Sequence, residues 1–393
     1  MDIFYRTHDY LVRNYNPSLR RALMDEIDWS DRLIGIKGPR GVGKTTFLLD
    51  YAREKYGSLN RECLYINLNQ FYFTTCTLVE FAGNFVKAGG KVLLLDQVFK
   101  YPEWSSELRR CIDLYPDLQI VFTGSSVMRL REENKDLNGI VSSYNLTGFS
   151  MREFINLKQG LNLPSYNLEE IIKNHEEIAR NIQKEVNPMD YIQDYLHHGY
   201  YPFFLEQRNY SENLLKTINM TLEVDVLVIK QIEQRCLYKL RKLLYLLGLR
   251  APAAPNVSQL ASEIDTSRAT VMNYLKYLAD ARLITLLNKP NEDSSKKPAV
   301  VYLDNTNLSY AMNPDHVSKG DVLKTFFLDH VKHGNKVTVG DRSQINFLIQ
   351  DKYNFKIDEV VGSRYRADRY YAVHNLTVGD RNVIPLWLFG FLY

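Results

Sequence analysis

Cysteine is scarce in this chain: Cys63, Cys76, Cys111 and Cys236 are the four among 393 residues. Their spacing suits neither a metal-ligand cluster nor a disulfide framework, which points to reduced, mostly buried thiols of a cytoplasmic protein. An excess of one charge is missing too. Lys and Arg number 49 against 46 Asp and Glu, a formal net charge of +3. No overall basic field announces nucleic acid, so any DNA contact must come from a local patch. The longest apolar stretch, Ile384 to Tyr393, is well short of the roughly 20 residues that a membrane-spanning helix needs. Residues 1–16 are polar and carry no signal-peptide core. No membrane partner is expected. Internal repeats and low-complexity tracts are lacking as well. The remaining composition, 45% hydrophobic and 24% charged, is that of a globular chain with real cores, long enough for two to four domains of roughly 100–200 residues.

Against that plain background one stretch stands out: Gly38, Pro39, Arg40, Gly41, Val42, Gly43, Lys44, Thr45, followed by Thr46. It has the form G-x-x-x-x-G-K-T. The apolar run Leu33 to Ile36 before it reads as a buried strand, and Thr46 to Tyr56 after it reads as a helix. That is the context in which the pattern carries meaning. Glycines let the backbone wrap closely around phosphate with successive N–H groups turned inward. The positive end of the helix adds to the field. Lys44 is expected to bridge the β- and γ-phosphates of ATP, and the Thr45 hydroxyl to ligate Mg2+.

Downstream, alternating strands and helices are expected. Cys63 to Leu68 and Val92 to Leu95 read as strands two and three, with a helix from Thr77 to Lys87 between them. Strand three ends in Asp96, an acid placed to hold the Mg2+ shell. The next residue is Gln97. An amide orients a water but cannot accept its proton, so slow hydrolysis or a long-lived ATP state is expected. Leu118 to Thr123 reads as strand four; Ser125 or Thr123 at its tip either senses the γ-phosphate or belongs to a simple turn. Ser143 to Leu146 is the fifth. This alternation implies a parallel α/β sheet with the ligand at the carboxyl ends of its strands.

The segments GPRGVGKTT, LYINLN, LLLDQVFKYPEWSSEL, IVFTGSSVMRL and LTGFSMREF, with YYPFFLE and the closing IPLWLFGFLY, are similar to a large prokaryotic family of AAA-type ATPases. Its members carry a winged helix and a restriction-endonuclease-like domain toward the C-terminus. Two departures matter. Relatives have Asp-Glu where this chain has Asp96-Gln97, and many carry Gly-Arg where it reads Gly139-Ile140. No arginine finger carries over; Arg129 and Arg131 lie nearby and read as solvated side chains.

From Met151 to about Leu249 the pattern is helical and is expected to form a lid behind the nucleotide. After Pro252 to Asn256, the stretch 257–287 reads as a helix-turn-helix, expected to be winged. If it binds DNA, Arg268, Asn273 and Lys276 face the groove; packing is the competing role. In the last part the resemblance implies a nuclease fold. Where relatives show a metal-binding Glu-x-Asp, this chain has Gln344-Ile345-Asn346, and no Lys follows Glu359 in the Glu-x-Lys position. Asp341, Asp358 and Glu359 remain. A degenerate nuclease kept for structure or binding is expected. The resulting plan is an AAA-type nucleotide-binding domain over 1–160, a helical lid over 161–240, a winged helix-turn-helix over 241–295 and a degenerate restriction-endonuclease-like α/β domain over 296–393. Two functions fit it: a slow ATP-driven switch, or a nucleotide-bound scaffold for a protein or DNA partner.

Overall fold

A computed structural model describes the chain apart from residues 15–18, 131–133, 207–208, 294–295, 341–345 and 363. Arg131, Asp341, Gln344 and Ile345 therefore lie outside the described residues. By contacts the chain divides into two units, Met1–Gly148 and Phe149–Tyr393.

In the first unit, four apolar-rich segments and one polar edge segment form parallel strands: β1 (Leu33–Gly38), β2 (Cys63–Asn67), β3 (Val92–Asp96), β4 (Gln119–Ser125) and the polar β5 (Ser142–Asn145), in the order β2-β3-β4-β1-β5. The four inner-sequence runs are nearly continuous hydrophobic stretches because crossover helices bury both faces. Those helices are Lys44–Lys55, Leu78–Lys87 and Trp104–Leu114. The first begins two residues earlier than the sequence suggests, at Lys44 itself. Thr77 caps the second in a reciprocal pair with Glu80, a device worth about 1 kcal/mol. Strand β2 is an edge, and the amphipathic helix Asp2–Asn14 covers it. There the buried His8 Nδ1 accepts the Tyr65 N–H at 3.0 Å, satisfying a donor that the ladder leaves over.

The second unit is built on a mixed sheet. Strands β8 (Val337–Val339), β9 (Phe347–Ile349) and β10 (Tyr353–Asp358) are antiparallel, while β10, β11 (Tyr370–Val373) and β12 (Val383–Pro385) run parallel. The earlier strands β6 (Ile284–Leu287) and β7 (Val300–Leu303) form a separate antiparallel pair after the helices Val257–Glu263 and Arg268–Asp280.

One placement differs from the expected helical lid over 161–240. The helices Met151–Gln159, Leu168–Glu185 and Met189–His198 share a core with the C-terminal sheet: Phe154, Ile171, Ile178 and Tyr195 are buried together with Phe327, Phe355, Trp387 and Phe389. The physical reason lies in the helix faces. Ile171, His175, Ile178, Ala179 and Ile182 make one buried stripe on Leu168–Glu185, and a stripe of that width must be covered. The apolar segment Leu386–Phe391 covers it from inside the unit and is itself buried. Among the described residues no helix is long and apolar enough to cross a membrane.

Candidate functional site

The site is assembled at the carboxyl end of the first sheet. Gly38 closes β1 opposite Ser125 of β4. A Cβ at Gly38 would lie 2.1 Å from the Leu146 carbonyl oxygen, so only glycine lets the loop leave the sheet there. Gly41 and Gly43 have φ of 86° and 95°, the left-handed region that favours glycine. The chain then enters the helix at Lys44 with its first N–H groups free of intrahelical partners. Lys44 Nζ donates to the Gly38 and Pro39 carbonyls at 2.8 and 2.7 Å, which places the ammonium over the loop. Arg21, a residue that nothing in the sequence singles out, donates to the Val42 carbonyl at 3.3 Å and to the Thr147 and Gly148 carbonyls at 2.8 and 3.2 Å.

The acid sits beside this loop. Asp96 is 2% exposed, and Thr45 Oγ1 donates to its Oδ2 at 2.7 Å. Tyr65 donates to the same oxygen at 2.9 Å, and Thr123 donates to Oδ1. A carboxylate accepting three hydroxyl protons is well satisfied without a cation beside it. The next residue, Gln97, has φ 58° and ψ 46°, and its N–H donates to Thr123 Oγ1 at 3.0 Å. Thr123 thus binds the acid and its neighbour. Ser125 is buried, and the Ser126 N–H donates to the Gly38 carbonyl at 3.1 Å, joining the tip of β4 to the start of the loop.

The residues present fit a magnesium nucleotide. The left-handed Gly41 and Gly43 give the loop the backbone freedom that wrapping a phosphate needs, and Thr45 with Asp96 carries the hard oxygen donors that Mg2+ takes. Of the residues expected from sequence, Gly38, Pro39, Arg40, Gly41, Val42, Gly43, Lys44, Thr45, Thr46, Asp96, Gln97 and Ser125 all fall on this loop, its helix or the adjoining strand ends. Tyr65 was the omission. Its signal is positional: it pairs with Leu94 while Asn67 pairs with Asp96, so Tyr65 and Asp96 share a face as diagonal neighbours.

Residues 30–155 match the AAA domain family model. Strand order, loop and match together make this part of the chain an AAA-type P-loop domain. A second family, described as a domain of unknown function (DUF8612), matches residues 189–312. The chain is also 26% identical over 267 residues to the uncharacterized protein MJ1637 of Methanocaldococcus jannaschii, covering 64% of this chain and 56% of that one. It thus spans little more than half the length of that relative. Similar solved structures include the Aeropyrum pernix Orc1 protein in complex with DNA, at 12% identity and a TM-score of 0.28, covering 80% of this chain and 92% of that one. AMPPCP-bound DnaA from Aquifex aeolicus is another, at 16% identity and a TM-score of 0.25, with 71% and 87% covered.

The second unit holds the other expected residues. Arg268 and Asn273 are exposed and Lys276 half-buried on the helix Arg268–Asp280, whose opposite face buries Val271, Tyr274, Leu275 and Leu278. On the mixed sheet, Asn346 is a structural residue: its side-chain oxygen accepts the Ile357 N–H at 2.7 Å and its own N–H donates to the Phe355 carbonyl at 2.9 Å. Asp358 pairs with Lys356 at 2.8 Å, and Glu359 pairs with Lys319. Among the described residues no group of three His, Cys, Asp or Glu side chains has metal-holding geometry.

Proposed function

We propose that the AAA domain binds ATP with Mg2+ and that the bound nucleotide sets a slow conformational switch in a cytoplasmic protein. The observation that carries this reading is the 2.7 Å contact between Thr45 and Asp96 at the mouth of a loop whose glycines have positive φ. Lys44 and the N–H groups of residues 41–45 would hold the β- and γ-phosphates; Thr45 and Asp96 would hold the metal. Mg2+, when bound, neutralises charge on the phosphate oxygens. Ser125 is proposed to face the γ-phosphate. Gln97 would orient water without taking its proton, which favours slow turnover. Lys44→Ala tests the reading. Loss of a charge-assisted contact costs about 1.5–3 kcal/mol, roughly 10- to 100-fold in affinity for MgATP; equal binding by parent and variant overturns it.

A second reading, a nucleotide-bound scaffold with little hydrolysis, is favoured by Gln97. Phosphate release no faster than the Lys44→Ala chain supports the scaffold, and faster release supports the switch. Its partner is proposed to be DNA or a protein. Residues 241–295 are proposed as a winged helix, with Arg268, Asn273 and Lys276 toward the groove, and 296–393 as a degenerate nuclease fold. The exposure of Arg268 and Asn273 on one helix favours DNA. Duplex binding that weakens steeply with salt and is lost on Arg268→Ala with Lys276→Ala supports DNA; binding indifferent to both leaves the protein partner.

A further inference from the structure

Strand β2 contributes a side chain to the acid of the site. Tyr65 is 5% exposed, and its hydroxyl lies 2.9 Å from Asp96 Oδ2, the oxygen that also accepts from Thr45 at 2.7 Å. A buried phenol needs an acceptor, and here the acceptor is the one carboxylate that the P-loop threonine also uses. The contact is diagonal across the β2–β3 pair, so it needs a side chain as long as tyrosine leaning along the strand.

The phenol is anchored from behind. The Tyr65 N–H points off the open side of β2 and donates to His8 Nδ1 at 3.0 Å. Burial holds His8 below its ordinary pKa, which keeps this ring nitrogen an acceptor. His8 sits on the helix Asp2–Asn14, which also presents Tyr5, whose hydroxyl donates to the Arg61 carbonyl just before β2 at 2.8 Å. The chain of contacts thus runs from the N-terminal helix through the edge strand to the acid.

We propose that Tyr65 is a positioning residue for the magnesium site, fixing the Asp96 carboxylate by a hydrogen bond to Oδ2 so that it faces the metal that Thr45 and Asp96 would hold. This rests on the reading of the loop as a magnesium-nucleotide site. Were Thr45 taken up by a metal, Tyr65 and Thr123 would still hold one Asp96 oxygen each and keep the carboxylate from rotating.

Tyr65→Phe tests the proposal in the full chain, since it removes one oxygen and keeps the ring. ATP binding is measured calorimetrically across free Mg2+ concentrations and in excess EDTA. Outer partners of metal ligands are worth about 10- to 100-fold in metal affinity. We expect the Mg2+ concentration for half-maximal enhancement of ATP binding to rise about tenfold, with binding in EDTA unchanged. An unchanged Mg2+ dependence overturns the proposal. So does equal weakening with and without Mg2+, which is what a merely structural tyrosine would give. If the parent chain binds no ATP at all, the nucleotide reading itself falls and takes this proposal with it; that result is distinct because it appears before any variant is made.

Discussion

Each unit buries carboxylate charge, one acid in the first and a pair in the second, and the two are satisfied by different chemistry. In the first unit Asp96 accepts from three neutral hydroxyls, those of Thr45, Tyr65 and Thr123. In the second, Asp304 and Asp329 share one ammonium: Lys332 Nζ lies 2.9 Å from Asp304 Oδ1 and 3.2 Å from Asp329 Oδ1, with both acids almost wholly buried. Lys332 also donates to the Asp304 carbonyl at 2.9 Å and to Thr285 at 3.2 Å, tying the end of β7 to β6 and to the helix Lys319–Val331. The three hydroxyls satisfy the oxygens of Asp96 without bringing a positive charge to it. In the second unit one ammonium is shared between the two acids, and Asp329 keeps its proton up to about pH 7. The same residue type is held by neutral hydroxyls in one place and by an ammonium in the other.

The largest expected effect comes from breaking the ammonium-held pair. Lys332→Met leaves two buried acids without their cation and should cost the second unit about 3–5 kcal/mol, read by denaturant unfolding. A loss under about 1 kcal/mol would mean that the acids are solvated and the contrast with Asp96 is false.

A pH series sharpens it. Burial pushes the Asp329 carboxyl up to about 7, the more so beside Asp304 and the less so beside Lys332. Its unfolded value is about 3.9, so the folded state holds the proton more tightly, and stability falls as pH rises from about 4 through 7. His330 acts in the opposite sense. Burial takes it down to about 3, below an unfolded value of about 6.5, so it costs stability as pH falls from about 6.5 toward 3. The two slopes oppose each other between about pH 4 and 6.5. Asp329→Asn removes one of them. The variant should lose stability on acidification more steeply than the parent, by on the order of 2 kcal/mol over that range; parallel curves would rule out the shift at Asp329.

A smaller effect than that of Lys332→Met is expected at Asp96. Thr123→Val removes one of three donors to Asp96 and the acceptor of the Gln97 N–H, for a cost of about 1–3 kcal/mol in thermal or chemical unfolding. A loss as large as that of Lys332→Met would show that the hydroxyls, too, are indispensable to the fold.

Much of the first unit was legible in the sequence because its signals are local. The Gly38–Thr45 pattern, the apolar strands and the strand-end acid each occupy a few consecutive residues, and the sheet follows from their alternation. Tyr65 was not legible, since its role depends on which strand β2 joins and in what register. The helices from Met151 to His198 show the same limit on a larger scale. Their stripes declare that a face is buried but not against what, and the partner is a segment near residue 390. The Asn346 amide reads from the sequence as a lost metal ligand; in the folded chain it also completes the β9–β10 ladder, a job that only the partner strand reveals.

The core that joins residues 151–198 to Leu386–Phe391 has a consequence for how the protein is made. The first unit can close as soon as residue 148 clears the ribosome. The helices that follow must wait for roughly 200 more residues, about 10–40 s at ordinary rates of synthesis. During that interval the part of their apolar faces that packs on Leu386–Phe391 has no cover from that segment.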